Sequence, residues 1–397
     1  MIETLPLVLA GVLLGVLAGL VPGVHANTIA LLAVAFAAKG DIGCALMIVS
    51  MSVTQTVVDF VPSILLGAPE SGTELSILPG HRMLLHGKGF FAVQLAITGC
   101  LVGGTIAILL SPVFVLFLLK GADFISAAIP FALGAVLLMM LFGEKGLRGK
   151  FWAFAVVSMS GLLGAIVLKG NIPVQDSLFC LTTGFFGAST LVSSIGEKQV
   201  LPEQRTGGFR IGNFRAGKYG FVSFLGGALV AVVPSISPSE AAFVIRKIAG
   251  KIKTRDYLVL LGGTNTANMI LSFFTMFALG KTRTGSAAAI KQLIPIGTEE
   301  LWLIAAACLI GLGAGAIAAD LGARIAVKNI HRADYKKINI AVLVFICLIV
   351  LAFSGLLGAL VFAAAAGIGL LSVCSGTRRT NCMAFLMIPT LLFYLGF

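Results

Sequence analysis

Four short polar segments stand where the rest of this sequence is apolar, and their residue types suit the binding of an anion. They are His25-Ala26-Asn27-Thr28, Pro69-Glu70-Ser71-Gly72-Thr73, Ser235-Ile236-Ser237-Pro238-Ser239-Glu240 and Gly262-Gly263-Thr264-Asn265-Thr266-Ala267-Asn268. Each offers hydroxyls, amides and open backbone with little fixed charge. Helix breakers stand beside them: Pro22-Gly23 before the first, Gly67 before the second, Pro234 before the third. A helix stopped between two apolar arms leaves backbone groups unsatisfied, which a membrane tolerates only where protein or a water-filled cavity covers the break. The N-terminal ends of the resumed helices point N–H groups and positive dipole ends at such a cavity, a fit for anions. The candidate substrate ligands are therefore Pro22, Gly23, His25, Asn27, Thr28, Gly67, Pro69, Ser71, Thr73, Ser235, Ser237, Gly263, Thr264, Asn265 and Asn268. Taken singly, each segment also reads as an ordinary surface loop capped by Ser, Thr or Asn. Their recurrence in both halves of the chain favours a site.

Asp59 is the most informative single charge. It lies inside an apolar run, four residues after Gln55 and so on the same helical face. An ionisable residue there marks an ion pathway, which makes Asp59 the candidate coupling residue, taking H+ or helping to hold Na+. The competing reading leaves it in water at a helix end. His25 stands between proton carrier and hydrogen-bonded structural residue. Glu70, Glu74 and Glu240 follow prolines at expected helix starts, where capping is the simpler account. Arg378-Arg379 interrupts the last apolar stretch. Two guanidinia at a pore mouth would attract carboxylate or phosphate; a short basic loop at the cytoplasmic face is the alternative.

Catalytic constellations are missing. Gly280-Lys281-Thr282 imitates the end of a phosphate-binding loop, but Thr275 stands where the earlier glycine is required. There is no HExxH or GxSxG motif. The seven cysteines form no CxxC pair and the four histidines no metal spacing. No catalytic residue, metal site or cofactor is expected, apart from H+ or Na+ as coupling ion.

The elements that must position these residues are membrane helices. The chain is 58% hydrophobic and 11% charged, with a mean hydropathy of +1.06, too little polar sequence to cover a soluble domain. Runs of about 20 apolar residues follow one another, as transmembrane helices require. The net charge of +12 resides mostly in short loops, as the positive-inside bias predicts, and no nucleic-acid fold signature accompanies it. Glu3 and the lack of a basic residue before the first run distinguish it from a secretory signal, so Leu5–Leu20 is expected to belong to the mature fold.

The first break divides residues 5–38 into two arms of about 15 residues, about 23 Å each as helix. Neither spans the hydrocarbon core, so a re-entrant hairpin competes with one long kinked crossing. Residues 42–66, 90–119, 124–142, 151–168 and 174–195 form the further runs, with 90–119 and 124–142 expected as separate helices. The basic linker 196–218 then separates a first transmembrane repeat, 1–195, from a second, 219–397. Ser160–Ala165 recurs letter for letter at Ser354–Ala359, 194 positions on, Leu65–Gly67 recurs at Leu260–Gly262, 195 on, and Gly87-Lys88 at Gly280-Lys281, 193 on. Pro22 maps to Pro234, 212 positions on. The turn Lys39-Gly40-Asp41 is neutral, whereas its counterpart 246–256 is strongly basic. That difference places the two turns on opposite sides, so the repeats are expected to be inverted; the basic character of both 143–150 and 323–337 argues the other way. The fold class is thus an all-α polytopic membrane protein of two inverted repeats with proline-broken re-entrant hairpins.

Several motifs carry a resemblance. Leu65-Leu66-Gly67-Ala68-Pro69-Glu70, Pro79-Gly80-His81-Arg82-Met83 and Gly87-Lys88-Gly89, with Pro22-Gly23 and Pro234–Pro238 in their contexts, resemble the large membrane subunit of tripartite tricarboxylate transporters. The resemblance spans nearly the whole chain, and the short form is similar to the archaeal branch. The chain departs from the family in having Ser235 and Ser237 where glycines are usual. The resemblance implies a secondary transporter that moves a di- or tricarboxylate across the cytoplasmic membrane of a prokaryote. It also implies a small membrane subunit and an extracytoplasmic binding protein as partners, besides membrane lipid and the anionic substrate. Val21-Pro22-Gly23-Val24 followed by Thr28-Ile29-Ala30-Leu31 is also similar to the polyprenyl-phosphate carriers, which implies the alternative of an anionic-lipid flippase.

Overall fold

A computed structural model describes residues 3–21, 25–67, 73, 77–170, 172–174, 177–195, 202–207, 212–248, 250, 252–330 and 335–396. Pro22, Gly23, Pro69 and Ser71 lie outside the described residues, as does the side chain of Thr28. What is described is helical: α1 (Leu5–Leu20), α2 (Ala26–Phe36), α3 (Ile42–Val58), α4 (Phe60–Leu65), α5 (Ile77–Leu85), α6 (Gly89–Phe142), α7 (Gly146–Leu168), α8 (Ser177–Thr182), α9 (Ser189–Ile195), α10 (Asn213–Val232), α11 (Pro238–Ile248), α12 (Thr254–Leu279), α13 (Gly285–Leu293), α14 (Thr298–Ile330), α15 (Tyr335–Cys374) and α16 (Ala384–Tyr394). A π-helical turn, Thr183–Ala188, joins α8 to α9, and a 3-10 turn, Arg379–Met383, precedes α16. Among the described residues six helical segments are long and apolar enough to cross a membrane. The chain is a polytopic membrane protein.

Two of these segments form the centre. Ile42–Leu65, comprising α3 and α4, and Thr254–Leu279, which is α12, are each 94% buried by the rest of the protein, whereas the other four are 44% buried or less. Protein rather than lipid surrounds the central pair, so they carry polar residues that a lipid-facing helix could not hold.

Glycines set the approach of the neighbours. A Cβ on Gly43 at the start of α3 would meet Leu7 of α1, and one on Gly19 at the end of α1 would lie 2.7 Å from Val58 near the end of α3. The two helices are therefore parallel. Because α2 connects the end of α1 to the start of α3, it must run back between them, and Ala26 N duly lies 2.9 Å from Gln55 Oε1. The second half does the same. Ser223 Oγ of α10 donates to Leu260 O of α12 at 3.0 Å, and a Cβ on Gly227 would lie 2.6 Å from that of Ala267, so α10 and α12 are parallel. The intervening α11 ends with Arg246 over Tyr257, 5.0 Å from the ring centre, at the start of α12.

The halves interlock through their long helices. Gly103 of α6 packs on Gly263 of α12, and Gly311 and Gly315 of α14 pack on Ser50 and Thr54 of α3. The central pair crosses where Thr56 and Thr266 hydroxyls lie 3.2 Å apart. One turn before Thr56, Ser52 meets Ser286 at 2.7 Å; Thr284, two residues before Ser286, reaches Ser272, beyond Thr266, at 3.2 Å. Thus α3 and α12 run in opposite senses.

Two expectations need correction. The runs 90–119 and 124–142 form one continuous helix, α6, of 54 residues. Lys120–Asp123 is polar but contains no proline, so the helix carries through it, while Pro112 and Pro130 each remove one i to i−4 bond on either side. Of the three letter-for-letter matches about 194 positions apart, Gly87-Lys88 and Gly280-Lys281 both follow a helix end with a positive-φ glycine, but the other two fall on unlike elements. Leu65–Gly67 closes α4, but Leu260–Gly262 lies inside α12; Ser160–Ala165 lies within α7, but Ser354–Ala359 straddles a kink in α15 at Gly355, whose φ is 63°. Element order recurs at a different offset: α2 and α11 begin at Ala26 and Pro238, and α3 and α12 at Ile42 and Thr254, in both cases 212 positions apart.

The apolar core forms two clusters. One gathers α1 to α5, α12 to α14, α6 up to Ile125 and Ala231 and Ala242; the other gathers α6 from Ile129, α7 to α9, α15, α16 and Val230, Val233, Ile236, Ala241 and Val244.

Candidate substrate cavity

The polar residues of the central pair face one another at their crossing. Asn265 Nδ2 donates to Thr56 O at 3.4 Å, and Asn268 lies one turn further along α12, its Oδ1 buried without a hydrogen-bond partner. Asp59 sits at the junction of α3 and α4 and is only 4% exposed.

Three helices begin at this level, and each has its first turn capped by a different device. At α2, His25 Nδ1 accepts from Asn27 N at 3.1 Å while Gln55 Oε1 accepts from Ala26 N. At α11, Ser237 Oγ accepts from Glu240 N at 3.2 Å and Glu240 Oε2 accepts from Ser237 N at 2.8 Å, the reciprocal capping box. At α13, Thr284 Oγ1 accepts from Ala287 N at 3.1 Å. Asn27 Oδ1 then accepts from Ser286 N at 3.0 Å and from Ser286 Oγ at 3.1 Å, which ties the first break to the start of α13. At the second break Ser235 has φ 61°, in the left-handed region that favours glycine, and its hydroxyl bonds that of Thr390.

These elements enclose a cavity of about 550 Å³. His25 and Asn27 line it from the first break, and Pro234 to Pro238 from the second. The central pair contributes Gln55, Thr56, Asp59, Asn265, Asn268 and Met269. Thr284 and Gly285 open α13 onto it, and Ser177, Thr182, Thr183 and Phe186 bring α8 and the π-helical turn. One cation, Arg283, also reaches it. Its Nη2 donates to Val232 O at 2.6 Å, while its Nε is buried without a partner. Among the described residues no carboxylate lies within ion-pair distance of this guanidinium. The cavity therefore offers an oxyanion one guanidinium with no carboxylate beside it and the positive dipole ends of α2 and α13, whose caps are neutral, together with neutral hydroxyls and amides; one carboxylate, Asp59, is suited to a cation.

Of the candidate ligands, His25, Asn27, Ser235, Ser237, Asn265 and Asn268 come together here with Asp59. Gly67 lies instead at the end of α4, and Thr73 bonds Ser63 at 2.7 Å. Gly263 and Thr264 face α10: a Cβ on Gly263 would lie 2.5 Å from Ser223 Oγ, and one on Gly226 would lie 3.0 Å from Thr264 Oγ1, which donates within its own helix to Leu260 O at 2.7 Å. The expected break at Gly262–Asn268 is a correction, because α12 runs through it. Its glycines admit the backbones of Ala96 and Gly99 of α6 rather than stopping the helix, and no proline is present. Arg378 and Arg379 do not line the cavity; Arg378 N donates to Glu144 Oε1 at 2.9 Å, and Arg379 bonds Thr190 Oγ1.

Sequence reasoning missed Arg283, Thr284 and the residues of α8 and its π-helical turn. Thr284-Gly285-Ser286 before an alanine-rich run is a legible N-cap, and would have drawn attention to Arg283. A π-helical turn has no comparable signal.

Comparison with known proteins gives two matches. Residues 5–384 match the model of the Tripartite tricarboxylate transporter TctA family. The chain is also 28% identical over 413 residues to the uncharacterized protein MJ1079 of Methanocaldococcus jannaschii, covering 100% of each chain. No solved structure matches.

Proposed function

The chain belongs to the tripartite tricarboxylate transporter TctA family, and from that membership we propose that it carries a di- or tricarboxylate through the cavity between its helix breaks, coupled to H+ or Na+. The observation that carries this reading is that breaks 212 positions apart, at His25 and Ser237, cap helices opening on one cavity. Half-helix N-termini aimed at a shared site suit an anionic substrate.

The opposite senses of α3 and α12 support reading 1–195 and 219–397 as inverted repeats about the linker 196–218. In that reading α1–α2 and α10–α11 are re-entrant hairpins. Helix α2, of 11 residues, reaches about 16 Å, half of a crossing. Asp59 is the proposed coupling residue. A small membrane subunit and an extracytoplasmic binding protein are the proposed partners, in the cytoplasmic membrane of a prokaryote.

Counterflow of radiolabelled citrate and succinate into proteoliposomes preloaded with the same carboxylate tests the reading. Accumulation above protein-free vesicles, increased by an imposed Na+ or pH gradient, is the expected result. Absence of counterflow for both carboxylates refutes it. Protein-dependent movement of a short polyprenyl phosphate between leaflets in the same vesicles would assign the cavity to a lipid carrier instead.

A further inference from the structure

We propose that Arg283, which lines the cavity with no carboxylate beside it among the described residues, is the charged ligand of the transported anion and takes a substrate carboxylate on its guanidinium; this assignment rests on the transport reading above. A guanidinium held partly out of bulk water is stabilised by an anion or by a full set of hydrogen bonds. Arg283 is half-buried and has neither among the described residues: its Nη2 donates to a neutral backbone carbonyl, Val232 O, and its Nε is buried without a partner. A guanidinium has five N–H donors arranged as a fork, and a carboxylate matches one edge of it.

Position supplies the second argument. Arg283 immediately precedes Thr284, the N-cap of α13, so that its charge adds to the positive end of that helix on the cavity wall. The titratable groups that share the cavity are His25 and Asp59. Glu240 is engaged in capping α11. Asn268, which also lines the cavity, has an amide that can donate to a further oxygen of the substrate. The site therefore compensates one carboxylate directly. Each further carboxylate of a di- or tricarboxylate has to be met by neutral donors or by a co-bound cation.

Equilibrium binding of radiolabelled citrate to the purified full-length protein in nanodiscs tests the assignment. Succinate, inorganic phosphate and the neutral triamide of citrate serve as competitors. Arg283→Gln is expected to weaken citrate binding by roughly 30-fold or more, as loss of one partner of a buried charge pair does. Arg283→Lys keeps a point charge without the fork and is expected to lose about tenfold. Succinate competes and the triamide does not. Wild-type affinity in Arg283→Gln, or in Arg283→Lys should the glutamine variant fail to fold, overturns the assignment and leaves the transport reading standing. Wild-type protein that binds neither carboxylate overturns both. Displacement by phosphate but not by succinate overturns the carboxylate assignment in favour of a phosphate headgroup.

Discussion

Replacing Asn27 with alanine cuts the tie between the first helix break and the helix that follows Arg283. Asn27 Oδ1 accepts two hydrogen bonds, from Ser286 N at 3.0 Å and Ser286 Oγ at 3.1 Å. Ser286 is fully buried, and its amide lies in the first turn of α13, where no helix carbonyl can accept from it. Without Asn27 that N–H is stranded away from water, which costs about 1–3 kcal/mol. The hydroxyl is less affected, because Ser52 Oγ remains 2.7 Å away; its loss adds about 0.5–1 kcal/mol. Asn27→Ala is therefore expected to destabilise the protein by about 2–4 kcal/mol, and Asn27→Asp, which keeps the accepting oxygen, by less. Reversible SDS unfolding in mixed micelles measures this. A double-mutant cycle isolates the contact: Ser286→Ala should cost less in the Asn27→Ala background than in wild type, because one of its bonds is already gone. Strict additivity, or a loss below about 0.5 kcal/mol for Asn27→Ala, would refute the reasoning.

Three further outcomes follow from the same geometry. A Cβ on Gly103 would lie 2.7 Å from Gly263 Cα, whereas one on Gly134 of the same helix meets nothing within 4 Å; Gly103→Ala is expected to lower stability by about 1–3 kcal/mol and Gly134→Ala to leave it unchanged or raise it by up to about 1 kcal/mol, both read by thermal unfolding. Ser235 occupies φ 61°, so Ser235→Gly should relieve about 1 kcal/mol of backbone strain while Ser235→Ala, which keeps the strain and loses the Thr390 bond, unfolds at a lower temperature; the reverse order would contradict the strain argument. Asp59→Asn is expected to retain citrate counterflow in proteoliposomes but to lose its response to a Na+ or pH gradient, and an unchanged response removes Asp59 as coupling residue.

The membrane class, the ends of α1 at Leu20 and of α10 at Val232 and the polar character of the sequence that follows each were legible in the sequence, because each depends on local composition. Proline and glycine stop helices wherever they leave a backbone donor missing or a chain unstiffened, and Ser237 with Glu240 three residues on is a local cap. Where local signals were ambiguous, reading them in isolation misled. Gly262-Gly263 looks like a break and is instead a close crossing with α6, because a glycine pair serves either purpose and only the neighbouring helix decides. Lys120–Asp123 looks like a loop but continues a helix.

The cavity itself was a matter for the tertiary structure alone. It depends on contacts such as Asn27 with Ser286, 259 positions apart, and Thr56 with Thr266, 210 apart. Arg283 acquires its meaning only there: in the sequence it is one basic residue among 28, in the fold a half-buried guanidinium on the cavity, bonded to Val232 O with no carboxylate beside it among the described residues. Hydropathy and helix stops are written residue by residue. The field at a point in space sums over charges and dipoles brought together by packing, and no stretch of chain carries that sum.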